Sequence, residues 1–367
     1  MLFAINGAAF ASWVPRIHDV KAEFGLSDPA LGLALAGMAT GALAISPVAG
    51  RLVSRFGSRA VSLLAAVALC GLLPLVGVAR TAPVLFDALL LVGLADALCD
   101  IGMNAHSLAV QNHYERPILS AFHAWWSIGA VTGAAAGALA SAAGVAVATH
   151  LSATSLVLLA VVIGSWAGLL PAAADRSERG SVHGARPNRA LVMIGLIALL
   201  GALVEDAPAS WSGIYLREDL GAAPGASGAA YVAFSTAMVA GRLVGDRVIG
   251  RWGAVRVTRA GGLLAAAGVA AALTSDSVTV AVAGFAVAGV GACTLFPVAF
   301  GAAGSLPGPS GAGVASVSLI ARMGFLVGPA LTGALSGAIG LRLALLTVVA
   351  AALTVTALAG TVAPRGA

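Results

Sequence analysis

The chain has 367 residues, of which 59% are hydrophobic and only 10% are charged, and its mean hydropathy is +0.98. A soluble domain carries about a quarter charged residues, so this composition could not cover a water-exposed surface. The net charge is +5, but the sequence has no soluble domain on which basic residues could cluster. This excludes a nucleic-acid-binding protein. Composition therefore predicts an integral membrane protein.

Apolar blocks of about 20 residues, enough to cross roughly 30 Å of hydrocarbon, recur along the chain. Breaks at Pro, Gly and Arg clusters predict twelve spans, at about 1–17, 28–50, 60–79, 83–111, 118–143, 145–170, 190–215, 225–249, 257–274, 278–304, 311–339 and 341–362. Because backbone groups in lipid must bond within their own segment, the spans are predicted to be helices. The polar stretch 172–189 is predicted to be a flexible cytoplasmic linker between domains at 1–171 and 190–367.

The second half of the chain repeats features of the first. Three segments return in the same order at offsets of 195 to 198 residues: Ala11–Trp13 as Ala209–Trp211, Arg51–Gly57 as Arg247–Gly253, and Gly129–Gly133 as Gly324–Gly328. So long a period in an apolar chain indicates two parallel membrane bundles. We therefore predict an all-α membrane protein of two pseudo-symmetric six-helix bundles.

The basic residues predict an orientation. When alternate loops are assigned to the two sides, thirteen basic residues fall on one side and five on the other. By the positive-inside rule the richer side is cytoplasmic. Both termini are then cytoplasmic, and we expect a multi-pass protein of the plasma (inner) membrane.

The fourth span carries the richest polar face. Seven residues fall within roughly 100° of arc on a helix: Gly93, Asp96, Asp100, Met103, Asn104, Ser107 and Gln111. Asp96 and Asp100 lie near the middle of the span, where ionisable groups are costly and usually functional. Two carboxylates one turn apart would repel if both were ionised, which suits a site that binds and releases a proton. The alternative is a structural hydrogen-bonding seam between helices.

Charged residues also lie inside three other spans. Glu205 and Asp206 lie near the middle of the seventh span, followed by Trp211 and Tyr215. Arg322 lies close to the centre of the eleventh span, and because a guanidinium stays charged, we expect Glu205 or Asp206 to pair with it. In the eighth span, Arg242 and Asp246 are one turn apart and can pair locally, where a structural role is at least as plausible as transport.

The fifth span offers one titratable and two aromatic candidates near its start. His123 could pass protons towards the cytoplasm, although a histidine at a helix end is often a simple hydrogen-bonding residue. Trp125 and Trp126 fit an interfacial belt or, with Ser127, a wall of the substrate site. The Gly-rich runs of spans five and eleven predict close helix packing. The scattered Cys70, Cys99 and Cys293 predict neither a disulfide nor a metal site, and no cofactor is expected.

Over nearly its whole length the chain resembles the major facilitator superfamily. Gly50–Arg59 is similar to that superfamily's loop motif Gly-x-x-x-Asp-Arg-x-Gly-Arg-Arg, with Ser54 at the position of the Asp. The resemblance implies two six-helix bundles that rock about a central cavity. It also implies a gating role for the residues of this loop and its repeat: Gly50, Arg51, Arg55, Gly57, Arg59, Asp246, Arg247 and Arg251.

A finer resemblance concerns the fourth span. Asp100-Ile-Gly-Met-Asn104 is similar to the acidic-x3-Asn pattern of the fucose permease-like branch, which implies that Asp100 takes part in proton coupling and Asn104 contacts the substrate. The fifth span lacks the Gly-Pro motif of drug antiporters, which favours solute symport. The proton-coupling candidates are Asp100, Asp96, Glu205 and His123. The substrate candidates are Asn104, Ser127, Trp126, Asp206, Trp211, Tyr215 and Arg322.

The sequence thus predicts a proton-coupled transporter, not an enzyme, that moves a small sugar-like solute by alternating access and acts as a monomer in the bilayer. Efflux of drugs or amphipathic metabolites is the alternative. A membrane sensor that does not transport is a third possibility, but the linker and tails leave little room for a partner-binding domain.

Overall fold

The computed structural model describes residues 1–114, 119–170, 189–223, 226–306 and 312–363, and every regular element in these ranges is helical. The α-helices are α1 (Leu2–Trp13), α2 (Ile17–Phe24), α3 (Asp28–Phe56), α4 (Ser58–Val78), α5 (Ala82–Tyr114), α6 (Leu119–Ala142), α7 (Val147–Ser165), α8 (Arg189–Glu218), α9 (Ala229–Trp252), α10 (Ala254–Thr274), α11 (Val278–Ala292), α12 (Leu295–Gly304), α13 (Ala312–Ile339), α14 (Leu341–Ala344) and α15 (Leu346–Leu358).

The chain forms two compact units, Met1–Gly180 and Ser181–Ala367. The division between them falls within the predicted linker, which lies outside the described residues except for Arg189. Among the described helices, eight are long and apolar enough to cross a membrane. The protein is therefore a multi-pass, all-helical membrane protein. The count of twelve spans stays a prediction.

Two predicted spans are interrupted where proline removes a backbone donor. The first span breaks after Trp13 into a 3-10 turn, Val14–Arg16, which contains Pro15. The tenth span breaks at Cys293 and Thr294, between α11 and α12. Pro297 cannot donate a hydrogen bond to the carbonyl of Cys293, which frees that carbonyl for another donor.

Glycines set the helix contacts of the N-terminal unit. In α6, a Cβ added at Gly129 would lie 2.0 Å from the carbonyl oxygen of Ala4 in α1, and one at Gly133 would lie 2.4 Å from that of Ala8. In the same way, a Cβ added at Gly93 of α5 would lie 2.0 Å from the Met38 carbonyl oxygen of α3. Only hydrogen fits at these distances, so the backbones of the paired helices touch.

The C-terminal unit repeats these contacts at nearly constant offsets. A Cβ at Gly324 of α13 would lie 2.5 Å from the Leu199 carbonyl of α8, and one at Gly328 would lie 3.0 Å from the Leu203 side chain. A Cβ added at Gly289 of α11 would lie 2.2 Å from the Phe234 carbonyl oxygen of α9. The internal repeat predicted from the sequence is thus present in the helix packing, and the Gly-rich runs of α6 and α13 are packing surfaces as predicted.

Candidate functional site

Three helices of the N-terminal unit are joined by a chain of polar side chains. The Nδ2 of Asn6 in α1 donates to Oδ1 of Asp96 in α5 at 2.8 Å. The indole Nε1 of Trp126 in α6 donates to Oδ1 of Asn6 at 2.7 Å. Asn6 is buried, while Asp96 and Trp126 are partly accessible. Asn6 therefore orients both the carboxylate and the indole ring.

Asp100, the second predicted carboxylate, lies one turn along α5 from Asp96 and is hydrogen-bonded to a residue of its own helix. The Nδ2 of Asn104 donates to Oδ1 of Asp100 at 2.9 Å and to the Asp100 carbonyl at 2.8 Å. Both side chains are partly accessible, as is Ser127 of α6. The polar face predicted for this span thus contains two hydrogen-bonded carboxylates, one tied to α1 and the other to Asn104.

A buried histidine lies on the same helix, outside the predicted face. Nδ1 of His106 is 3.0 Å from Oγ of Ser58, at the start of α4, and both side chains are buried. On a helical projection, His106 lies about 60° beyond the arc of polar residues, so the periodicity did not indicate it. The predicted relay residue, His123, is part of α6, but its side chain lies outside the described residues.

In the C-terminal unit, Glu205 pairs with Arg242, so the predicted pair with Arg322 is wrong for Glu205. Nη2 of Arg242 in α9 lies 3.3 and 3.2 Å from the two carboxylate oxygens of Glu205 in α8. Nε of Arg242 also donates to the Cys293 carbonyl at 3.4 Å, which is the carbonyl freed by Pro297. The helix break thus helps to position this guanidinium. The side chain of Asp246, the other partner proposed for Arg242, lies outside the described residues.

Asp206, the neighbour of Glu205, has a different environment. Oγ of Ser210 donates to its Oδ1 over a long 3.4 Å, while its Oδ2 is buried and has no hydrogen-bond partner in the described structure. Gly328 of α13 packs against that oxygen, because a Cβ added there would lie 3.3 Å from Oδ2. Asp206 does not pair with Arg322 either.

Arg322 is partly accessible in the middle of α13 and forms no salt bridge with any carboxylate that the structure describes. The exposure of Arg322 is intermediate: Gly324 and Gly328 on the same helix are buried, and Val327 is exposed. One turn away, the ring of Phe325 stacks on Phe296 of α12, with centroids 5.9 Å apart. A permanent cation therefore lies near a flat aromatic surface.

Two of the predicted substrate contacts lie in the core of the C-terminal unit. Trp211 and Tyr215 are both fully buried. The hydroxyl of Tyr215 donates to the Ala272 carbonyl at 3.0 Å, and its ring meets Phe285 edge to face. This packing gives Tyr215 a structural role in this conformation, whereas the buried Nε1 of Trp211 has no hydrogen-bond partner in the described structure.

The loop motif and its repeat have the same backbone geometry. Gly57 has φ 84° and ψ 150°, and Gly253 has φ 80° and ψ 151°, a conformation that favours glycine. Arg51 and Arg55 are exposed, as are Arg247 and Arg251. A further motif residue, Arg59, donates from Nη2 to the Trp166 carbonyl at 3.0 Å and so ties the start of α4 to the end of α7. A Cβ at Gly50 would meet nothing within 4 Å.

Comparisons with known proteins agree with this architecture. The chain is 34% identical over 343 residues to an uncharacterised transporter, y4wD, of Sinorhizobium fredii (strain NBRC 101917 / NGR234), covering 93% of this chain and 91% of that protein. It is 33% identical over 364 residues to an uncharacterised MFS-type transporter of Yersinia pestis, covering 97% and 94%. The chain belongs to the major facilitator superfamily. Residues 194–366 also match the Major Facilitator Superfamily profile.

A third relative of this superfamily member is the membrane protein MosC of Rhizobium meliloti, at 33% identity over 95% of this chain and 85% of that protein. Among solved structures, the fold resembles the nucleoside transporter NupG with a TM-score of 0.80, 13% identity and coverage of 98% and 97%. It also resembles a bacterial homolog of the human lysosomal transporter Spinster, with a TM-score of 0.77, 14% identity and coverage of 98% and 94%. Because its relatives of 33–34% identity include transporters of this superfamily, the chain is a transporter and not an enzyme.

Proposed function

We propose that this protein is a proton-coupled secondary transporter of a small, polar, sugar-like solute. It acts by alternating access, as a monomer in the plasma (inner) membrane with both termini on the cytoplasmic side. The observation that carries the proposal is the hydrogen-bonded chain of Trp126, Asn6 and Asp96, with Asp100 and Asn104 one turn along α5. It joins carboxylate and amide groups to an oriented aromatic ring within a unit whose helices are mainly apolar.

Such a set of groups suits a sugar or a related polyol. Hydroxyl groups need hydrogen-bond donors and acceptors, which Asp100 and Asn104 offer from partly accessible positions. The C–H face of a sugar ring can lie on an indole, and the Trp126 ring is held in one orientation by its bond to Asn6. NupG, which shares the fold, is a nucleoside transporter, and a nucleoside likewise combines a sugar with a flat ring.

Within the C-terminal unit, Arg322 is a separate candidate for a contact with the solute. An arginine inside a membrane span stays charged, so it needs a partner when it is removed from water. None of the described carboxylates pairs with it, which favours a hydroxyl or anionic group of the solute as that partner. The stacked Phe296 and Phe325 beside it offer an apolar surface for the rest of the solute.

Proton coupling is supported by the carboxylates inside the spans. Asp96 and Asp100 lie one turn apart in α5, and each accepts an amide hydrogen bond. Such groups can exchange a proton when their surroundings change during transport. Asp100, which is bonded to the proposed substrate contact Asn104, is the first candidate for the residue whose protonation follows substrate binding.

An uptake assay tests this proposal. Whole cells and inverted vesicles that contain the protein would be given labelled sugars, sugar acids and nucleosides under an imposed pH gradient, with cationic drugs in parallel. We expect uptake of one of the polar solutes into cells that collapses when the gradient is removed. Asp100→Asn should lose gradient-driven accumulation and keep solute exchange. Drug accumulation in inverted vesicles, with no polar solute moved in either preparation, would overturn the proposal in favour of efflux.

A further inference from the structure

Asp206 differs by its hydrogen bonding from Asp96, Asp100 and Glu205, the other carboxylates described near the middle of the spans. Asp96 and Asp100 each accept an amide N–H, and Glu205 accepts two bonds from a guanidinium. Such donors stabilise the ionised form of a carboxylate. Asp206 has only the long contact from the Ser210 hydroxyl, at 3.4 Å, and its buried Oδ2 accepts nothing from the residues described.

Where α13 packs against Oδ2, its residues offer no donor for an ionised oxygen. Gly328 and Pro329 of α13 are both buried on this side. Gly328 has no side chain and its N–H lies within the helix, while Pro329 has no N–H at all. A buried carboxylate oxygen without a donor loses its hydration and gains nothing in exchange. A protonated carboxyl avoids that cost because it carries no charge.

The nearby charges do not change this conclusion. The helices packed against α8 carry these titratable or charged groups: Tyr231, Arg242, Asp246, Arg247 and Arg251 of α9, Cys293 after α11, and Arg322 of α13; α12 and α15 carry none. Arg247 and Arg251 are exposed, and the side chain of Asp246 lies outside the described residues. Arg242 is bound to Glu205 and to the Cys293 carbonyl. Arg322 forms no salt bridge with any described carboxylate, Asp206 included. Glu205, the adjacent residue, is an anion that disfavours a second negative charge.

We propose that Asp206 is a proton-binding site of the C-terminal unit, whose carboxyl carries the proton while its Oδ2 lies against Gly328. Release breaks the O–H bond, passes the proton to water and leaves a carboxylate beside the Glu205–Arg242 pair. The role of this step in coupling rests on the proposed function. The protonation state of Asp206 does not, and it can be measured without a substrate.

Infrared difference spectroscopy of the purified full-length protein in lipid vesicles would test the proposal. The C=O stretching band of a protonated carboxyl should be present at neutral pH and disappear on raising the pH. Asp206→Asn should remove that band, whereas Asp100→Asn should leave it unchanged. A band that persists in Asp206→Asn, or no such band in the parent protein, would overturn the assignment.

Asp206→Glu covers the case in which Asp206→Asn does not fold. In protein grown with 13C-labelled aspartate, the parent band should shift with the label, whereas the band of Asp206→Glu should not. A label-dependent band in Asp206→Glu would place the proton on another aspartate. The transport assay reads out separately: if gradient-driven uptake is present but the carboxyl band is absent, the assignment fails and the proposed function stands. If the carboxyl band is present and no solute is transported, the assignment of the proton to Asp206 stands and the proposed function fails.

Discussion

Nη2 of Arg242 lies within 3.3 Å of both carboxylate oxygens of Glu205, so one guanidinium joins α9 to α8 inside the C-terminal unit. The side chains are 30% and 22% exposed, so the pair is only partly removed from solvent. Removing one partner from a buried pair costs about 3–5 kcal/mol, and partial exposure should reduce this to about 1–3 kcal/mol.

We therefore expect Arg242→Met and Glu205→Leu each to destabilise the protein, and the double variant to be less destabilised than the sum of the two. Reversible unfolding in mixed micelles would measure the free energies in a double-mutant cycle. The exposed pair Arg342–Asp276 is a matched control, for which little or no coupling free energy is expected because solvent screens the two charges. Strict additivity at Arg242 and Glu205 would contradict the pairing.

Arg322→Gln should behave in the opposite way to Arg242→Met. Because Arg322 pairs with no described carboxylate, its loss leaves no uncompensated partner, and the free energy of unfolding should change little or rise. Solute uptake should fall about tenfold or more if the guanidinium contacts the solute, in line with about 1.5–3 kcal/mol for a hydrogen bond to a charged group. Unfolding and uptake measured on one preparation would check this. Unchanged uptake would remove Arg322 from the substrate site.

Gly129→Ala should weaken the contact between α6 and α1. The added methyl would lie 2.0 Å from the Ala4 carbonyl oxygen, so the two helices would have to move apart. We expect a loss of about 1–3 kcal/mol from such overpacking, measured as the free energy of unfolding. Gly164→Ala in α7 is the control, since nothing lies within 4 Å of its Cβ and alanine favours a helix by about 0.5–1 kcal/mol. Equal effects at both glycines would argue against backbone contact.

Asn6→Ala should release Asp96 and Trp126 together. The change leaves a carboxylate oxygen and an indole N–H without their partner, which costs about 1–3 kcal/mol for each group that stays buried. Trp126→Phe keeps an aromatic ring and removes only one of the two hydrogen bonds, so it should lower the free energy of unfolding less than Asn6→Ala does. Free energies of unfolding for the two variants would test the order. A larger loss in Trp126→Phe would show that Asn6 is not the central member of the chain.

Cysteines at Ser54 and Thr81 should be labelled from opposite sides of the membrane. Both positions are exposed, and they flank α4, whose 21 residues span about 30 Å. The excess of arginine around the loop motif predicts that Ser54 faces the cytoplasm. An impermeant maleimide should therefore label Thr81→Cys in intact cells and Ser54→Cys in inverted vesicles. Cys70, Cys99 and Cys293 are buried, so the parent protein is the control for background. Labelling of Ser54→Cys and Thr81→Cys from the same side of the membrane would contradict the predicted topology.

The fold and part of the site were predictable from the sequence because they depend on local periodicity. Asp100 and Asn104 are four residues apart, so any helix brings them together, and the observed bond follows from that spacing. Helical composition and the recurring glycines likewise predicted the two packing surfaces. The pairing of Glu205 was not predictable in this way. The sequence places Arg242 and Arg322 at similar depths in their predicted spans. Which of the two pairs with Glu205 depends on how each helix is rotated about its axis and on the helices that it packs against.

The interruption of the tenth span at Cys293 was a second feature that the hydrophobicity of the sequence could not indicate. The tenth predicted span is continuously hydrophobic, and Pro297 was the signal that its backbone would be interrupted. That break provides the carbonyl that Arg242 binds. His106 was missed for a different reason, because its partner Ser58 comes from another helix and no pattern within α5 could indicate it.

The glycine contacts that recur in the two units have a consequence for how this protein could change its specificity. Gly129 with Ala4, and Gly324 with Leu199, form equivalent close helix contacts in the two units. The polar groups are not shared: position 96 is an aspartate, whereas its counterpart 196 residues later is Ala292. The two units thus share glycine contacts between their helices but not the polar groups of the fourth span. New solutes could therefore be accommodated by substitutions at a few polar positions, with the helix spacing left intact.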